Sequence, residues 1–257
     1  MDWEALDIGA FGGGDVQLAS HWLPTHWSYD EETVPFYPFD LEQARTLLTE
    51  AGWIDDDGDE GTAASPTPRV AQGVETVEDG TTLAFELITN AGNVENESTG
   101  ILLTDQWAQI GVDLDFQPVD FNILVDELLA QTYDAVMVFW GIGNIAFPDQ
   151  DIRVTFGPEN DNPGGGFNTS SFYSERMMEL LVQANDPAQT DGCNIDARIP
   201  LYQEAYQILR DEVAWIWLGT STVYSAISNN IENFTTVTGP GYRRITDQSA
   251  GWVIFED

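Results

Sequence analysis

Between residues 81 and 140 short apolar runs alternate with stretches of helical periodicity. Leu83 to Thr89 is rich in strand formers, and Val94 to Ile110 has the spacing of a helix closed by Gly111. Val112 to Gln117 sets Val, Leu and Phe against Asp, Asp and Gln, the period of a strand with one wet face. Asp120 then stands as the cap of a second helix, whose Phe121, Leu124, Val125, Leu128 and Leu129 fall on one stripe. Tyr133 to Trp140 is almost continuously apolar, the pattern of a strand buried on both faces. This order predicts an α/β fold built on a βαβαβ unit with right-handed crossovers.

The flanks are read the same way. Asp40 caps a short helix with Gln43 placed as in a capping box, Leu41, Ala44, Leu47, Leu48 and Ala51 as its apolar stripe, and Gly52 as its left-handed stop. Residues 172–185 and 196–211 are predicted helices, with Pro200 accommodated in a first turn whose N–H groups lack intrahelical partners. Val213 to Leu218, Thr222 to Ile227 and Trp252 to Phe255 read as strands. Gly61 to Glu78, rich in Thr, Ser, Pro and Ala, reads as an insertion or mobile loop, and the glycine-rich stretch 141–170 as a long loop, functional or disordered.

Charge narrows the partners. The 257 residues carry 44 acidic and 8 basic side chains, a formal net charge of −36, and every basic residue other than the two histidines is Arg. Nucleic acid and anionic membrane surfaces, which need a cationic face, are excluded as partners. A hydrophobic content of 42% is enough for a core, so the acidity belongs on a solvated surface, where salt would screen its self-repulsion. Cys193 is the single cysteine, a loop thiol with no internal disulfide. Met1 to Ala10 lacks the basic start and apolar core of a signal peptide, and no apolar run is long enough to span a bilayer.

Ligands of open α/β sheets bind beyond the carboxyl ends of the strands, which directs attention to the loop beginning Trp140-Gly141-Ile142-Gly143-Asn144. Trp215 and Trp217, two apart, share one face of their expected strand, with Trp217 the candidate cleft aromatic. Asp55, Asp57 and Asp59 have the opening spacing of a calcium loop, but Glu60 and Pro66 occupy the positions that need Gly and Glu, leaving a solvated acidic turn and no metal. His21 and His26 have no partner pattern for a metal. Paired carboxylates keep an acidic secreted glycoside hydrolase as an alternative, although no nucleophile or phosphate-loop motif is present.

Several stretches in their order resemble the extracytoplasmic solute-binding proteins of the peptide/nickel class, family 5, the binding subunits of ABC importers. They are the Ala51-Gly52-Trp53 helix end with its Asp/Gly-rich turn, Asp79-Gly80 before a strand, Trp107 to Leu114, Tyr133 to Gly141, Pro148-Asp149, and Arg198 to Ala205. The resemblance covers nearly the whole chain. It implies a periplasmic-binding-protein-like II lobe, a mixed sheet flanked by helices, truncated to the C-terminal half of a longer protein. Residues 1–230 would form that lobe and 231–257 a return segment toward a first lobe. It further implies a non-enzymatic, monomeric, extracytoplasmic protein without a cofactor. That protein would capture a peptide or other small polar solute and pass it to ABC permease subunits. Trp140 matches a pocket-lining tryptophan of peptide-binding relatives, while Gly143 stands where they carry an acid that pairs with the peptide amine. Asn144 would offer a neutral amide there, with Asp149 or Asp151 as the other possible anchor. Gly141, Phe147, Phe167 and Asn168 complete the expected ligand-binding set with Trp217.

Overall fold

The computed structural model describes residues 1–24, 26–56, 58, 61–62, 65–139, 152–220, 231–232 and 253–254. The fold is mixed α/β, as the sequence predicts, and divides into two compact units. The first is Met1–Asp15, Tyr37–Phe139 and Asn162–Thr169; the described residues of the second lie within Val16–Phe36, Trp140–Asp161 and Ser170–Asp257.

The first unit holds α1 (Trp3–Leu6) and α2 (Leu41–Glu50), then the short strands β2 (Trp53–Ile54), β3 (Gly61–Thr62), β4 (Ser65–Pro66) and β5 (Val70–Ala71). The βαβαβ core follows as β6 (Ala84–Asn90), α3 (Val94–Ala108), β7 (Asp113–Val119), α4 (Phe121–Ala130) and β8 (Ala135–Val136). These three strands are parallel in the order β7-β6-β8, so β6 is central. Its consecutive Leu87, Ile88 and Thr89 are all buried, as expected of a strand covered on both faces. That corrects the reading of Tyr133 to Trp140: among the described residues the strand there is the two-residue β8, with half-buried Ala135 and Val136 and β6 as its neighbour, so apolar continuity did not mark double coverage.

Asp40 caps α2 by accepting from the Gln43 N–H at 2.9 Å, and Gly52 takes the left-handed φ of +92°. The stripe of α2 is only half-buried, with Leu47 exposed. Gly61 to Glu78 is also corrected, because its described part is anchored. β5 pairs with β2, and buried Arg69 donates through Nε to the Ile110 carbonyl at 2.9 Å and through Nη1 to Thr49 Oγ1 at 3.0 Å. A charged group buried in this way is held by several hydrogen bonds, which is the opposite of a loose loop.

In the second unit β1 (Val16–Gln17) pairs with β9 (Gly219–Thr220), and α5 (Arg153–Phe156), α6 (Glu175–Ala184) and α7 (Ile195–Asp211) supply the helices. β10 (Ile231–Glu232) pairs with β11 (Val253–Ile254), inside the predicted terminal strand. Met177, Leu180, Leu181 and Ala184 of α6 and Tyr202, Ala205, Tyr206 and Leu209 of α7 are buried together, one apolar stripe on each helix. Pro200 is the sixth residue of α7, beyond the free first turn, so the helix gives up the bond its N–H would make to the Asp196 carbonyl. Val213 to Leu218 forms no strand: Val213 has φ +48°, which breaks the extended path, and pairing begins only at Gly219. The expected strand at 222–227 lies outside the described residues.

Candidate functional site

The three parallel strands of the first unit end together, β6 at Asn90, β7 at Val119 and β8 at Val136. The loops that leave them are tied to one another. Ala91 N–H donates to the Val119 carbonyl at 2.7 Å, and Thr89 Oγ1 donates to the Met137 carbonyl at 2.9 Å. Asn96 Nδ2 donates to Thr89 Oγ1 at 3.0 Å and to Asn90 Oδ1 at 3.2 Å, fixing the first turn of α3 against the strand end.

From β6 the chain moves to one side to reach β7, then returns across β6 to β8. With right-handed crossovers, that reversal puts α3 and α4 on opposite faces and opens a crevice between the loops after β6 and β7. Large apolar side chains stand uncovered at this end: Val94 is 75% exposed, Phe121 62%, Ile123 50% and Phe139 78%. Phe121 and Val94 are the first residues of their helices, directly after the caps Asp120 and Asn93. Exposed apolar side chains beside a few fixed polar groups at the carboxyl ends of parallel strands suit a small-solute site.

Trp140, Gly141, Asn144, Phe147 and Asp149 lie outside the described residues, as do Gly143 and Asp151. Phe167 is exposed and Asn168 buried. The Asn168 carbonyl accepts from Gln131 Nε2 at 2.9 Å, and the Thr169 carbonyl accepts from Tyr133 Oη at 2.6 Å. Gln131 and Tyr133 precede β8, so these bonds hold 168–169 at the amino end of the sheet, away from the rim. Phe121 was missed as a rim residue because its spacing fits the α4 core stripe. The signal available in the sequence was its place directly after the cap, where a helix begins at the carboxyl end of the preceding strand.

Trp217 belongs to the second unit, in an aromatic group built on a histidine. The His21 ring centre lies 5.3 Å from that of Trp217 and 6.1 Å from those of both Trp215 and Phe156. The two tryptophans do share one side, with centroids 5.3 Å apart, although no strand holds them there. His21 is buried, neither of its ring nitrogens has a hydrogen-bond partner, and burial lowers its pKa to about 4. Trp217 Nε1 and Ser20 Oγ are likewise buried without partners. Among the described residues no group of His, Cys, Asp or Glu side chains could hold a metal ion, and no helix is long and apolar enough to cross a membrane.

Residues 2–163 match the family described as bacterial extracellular solute-binding proteins, family 5 middle. The chain is 29% identical over 227 residues to the oligopeptide-binding protein AppA of Bacillus subtilis, a match covering 87% of this chain and 37% of that protein. It is 27% identical over 228 residues to a dipeptide-binding protein of Pseudomonas aeruginosa, covering 88% of this chain and again 37% of the relative. The solved structure of the Bacillus subtilis protein in complex with a nonapeptide shares the fold, with a TM-score of 0.75 at 21% identity over all of this chain and 46% of the other. The chain thus spans little more than a third of the length of these relatives.

Proposed function

The chain belongs to the bacterial extracellular solute-binding proteins of family 5, and from that premise we propose that it forms one jaw of a two-lobed receptor for a peptide or other small polar solute. The observation that carries this reading is the uncovered apolar rim of Val94, Phe121, Ile123 and Phe139 beyond the carboxyl ends of β6, β7 and β8. Residues 1–230 would supply the jaw and 231–257 the return toward a first lobe. The ligand touches both lobes and so favours the closed population over the open one. The receptor then works outside the cytoplasm as a monomer and hands its ligand to ABC permease subunits. The relatives' names, dipeptide- and oligopeptide-binding proteins, favour a peptide. The family binds solutes rather than transforming them, and the glycoside hydrolase alternative has no support in it.

On this reading Trp140, Gly141, Asn144, Phe147 and Asp149, which follow β8 in sequence, contribute ligand contacts, while Phe167, Asn168 and Trp217 are weaker candidates. An amide chemical-shift titration of the isotope-labelled chain with di-, tri- and pentapeptides tests it. Saturable shifts confined to residues after β6, β7 and β8, weakened by Trp140→Ala, are the expected result. Absence of any saturable shift at millimolar peptide would refute ligand capture by this jaw.

A further inference from the structure

Building on the solute-binding reading, we propose that Thr89 is the positioning residue of this rim: its hydroxyl touches no ligand, but sets the direction in which Phe139 is presented to a bound solute. Thr89 is the next-to-last residue of β6 and is fully buried, so its hydroxyl must find partners within the protein. It has two. Oγ1 accepts from Asn96 Nδ2 at 3.0 Å and donates its own proton to the Met137 carbonyl at 2.9 Å. The second proton of the Asn96 amide goes to Asn90 Oδ1 at 3.2 Å, and the Asn96 N–H goes to Asn93 Oδ1 at 3.0 Å. A directed chain of hydrogen bonds thus runs from the first turn of α3 through the end of β6 to the exit of β8, each bond polarising the next.

The place of the last link gives it leverage. Among the described residues the backbone ladder between β6 and β8 ends with the Met137 N–H, which donates to the Ile88 carbonyl at 2.9 Å. The carbonyl of that same residue is held by a side chain, the Thr89 hydroxyl. Because a peptide unit is planar, holding this carbonyl fixes the Met137–Val138 plane and with it the path of the residues that follow. Phe139 is 78% exposed, so its place is set by the backbone that carries it rather than by packing. Val94, 75% exposed, stands two residues before Asn96 in the first turn of α3. One buried hydroxyl therefore ties together the two turns that carry Val94 and Phe139, and a solute resting on both side chains finds them already placed.

Amide chemical-shift titration of the full chain with the pentapeptide Ala-Ala-Phe-Ala-Ala tests this, at a temperature where thermal melts show each variant folded. Thr89→Val keeps the branched shape but leaves the Met137 carbonyl and one Asn96 proton unpaired, and is expected to weaken binding about fivefold. Thr89→Ser returns the hydroxyl and should recover affinity to within about twofold of the parent chain. Phe139→Ala should weaken binding about tenfold, and the double variant with Thr89→Val also about tenfold rather than about fiftyfold, since the threonine acts through that ring. Should Thr89→Val not fold, Asn96→Ala at a half-buried position carries the same cycle, with a loss of about threefold that vanishes in the Phe139→Ala chain. Undiminished binding by Thr89→Val, equal losses in Thr89→Ser and Thr89→Val, or a fully multiplied loss in the double variant overturns the positioning role and leaves solute binding intact. No saturable shift in the parent chain removes the solute-binding reading itself, and this inference with it.

Discussion

The indole of Trp217 and the imidazole of His21 lie 5.3 Å apart, centre to centre, and no nitrogen of either ring has a hydrogen-bond partner. A charged imidazolium in that setting would lack both water and a counter-ion, which is why its pKa falls to about 4. The unfolded chain takes up the proton near the ordinary histidine value of 6.5. Because the folded pKa is the lower one, the unfolded state binds more protons between the two values, and stability falls as pH drops from 6.5 toward 4. The loss amounts to about 1.4 kcal/mol per pH unit, on the order of 3–4 kcal/mol in all. Urea unfolding midpoints between pH 7 and pH 5 measure it, in a range where most carboxylates stay ionised. His21→Phe should flatten the slope, and an unchanged slope in that variant would show that another group titrates.

Gly100, in the middle of α3, has no room for a side chain: a Cβ there would run into the ring of Phe116 on β7. Gly100→Ala gains helix propensity but forces the helix off the sheet, so a net destabilisation of about 1–3 kcal/mol is expected. Gly100→Ala combined with Phe116→Leu should recover part of it in thermal melts.

Arg198 is buried on α7 and fastens the end of α6. Its Nε donates to the Ala184 carbonyl at 2.8 Å, its Nη2 reaches Asn185 Oδ1 and Tyr202 Oη at 3.3 Å, and its guanidinium lies 5.3 Å from the Trp27 ring centre. Arg198→Met should cost about 2–4 kcal/mol by leaving these acceptors unpaired. Arg198→Lys should recover little, since an ammonium cannot bridge the carbonyl and the amide as the planar fork does. Chemical denaturation of both variants decides this.

The formal charge of −36 on 257 residues implies strong self-repulsion in the compact state. The Debye length shrinks from about 10 Å at 0.1 M salt to about 3 Å at 1 M. Thermal midpoints should therefore rise between these concentrations by about 4–8 °C, equivalent to ~2 kcal/mol for a chain of this size. A flat response would mean that the acidic groups are spaced too widely to repel.

Helical stripes were the most legible part of the sequence, because Met177, Leu180, Leu181 and Ala184 state their burial at a period that nothing else in the chain imitates. Apolar continuity misled at Tyr133 to Trp140, where the sheet ends and Phe139 is exposed, whereas the doubly covered strand, Ala84–Asn90, carries Glu86 and Thr89 and looks less hydrophobic. Arg69 and Arg198 could not be read as interior residues, since the carbonyls that solvate them come from residues far along the chain or across a helix pair. The rim was half legible. Topology pointed to the loop after Tyr133 to Trp140, but Phe121 was hidden in a stripe it satisfies without being buried.

The two units are threaded through each other in sequence, with crossings at 15/16, 36/37, 139/140, 161/162 and 169/170. During synthesis, then, the first unit remains without its final segment until residue 169 has left the ribosome. At that point the two long helices of the second unit, α6 and α7, have yet to emerge behind it. Neither unit can be cut out as one continuous piece, and a nascent chain must hold apolar surface open until the later segments emerge, the condition in which chaperones engage.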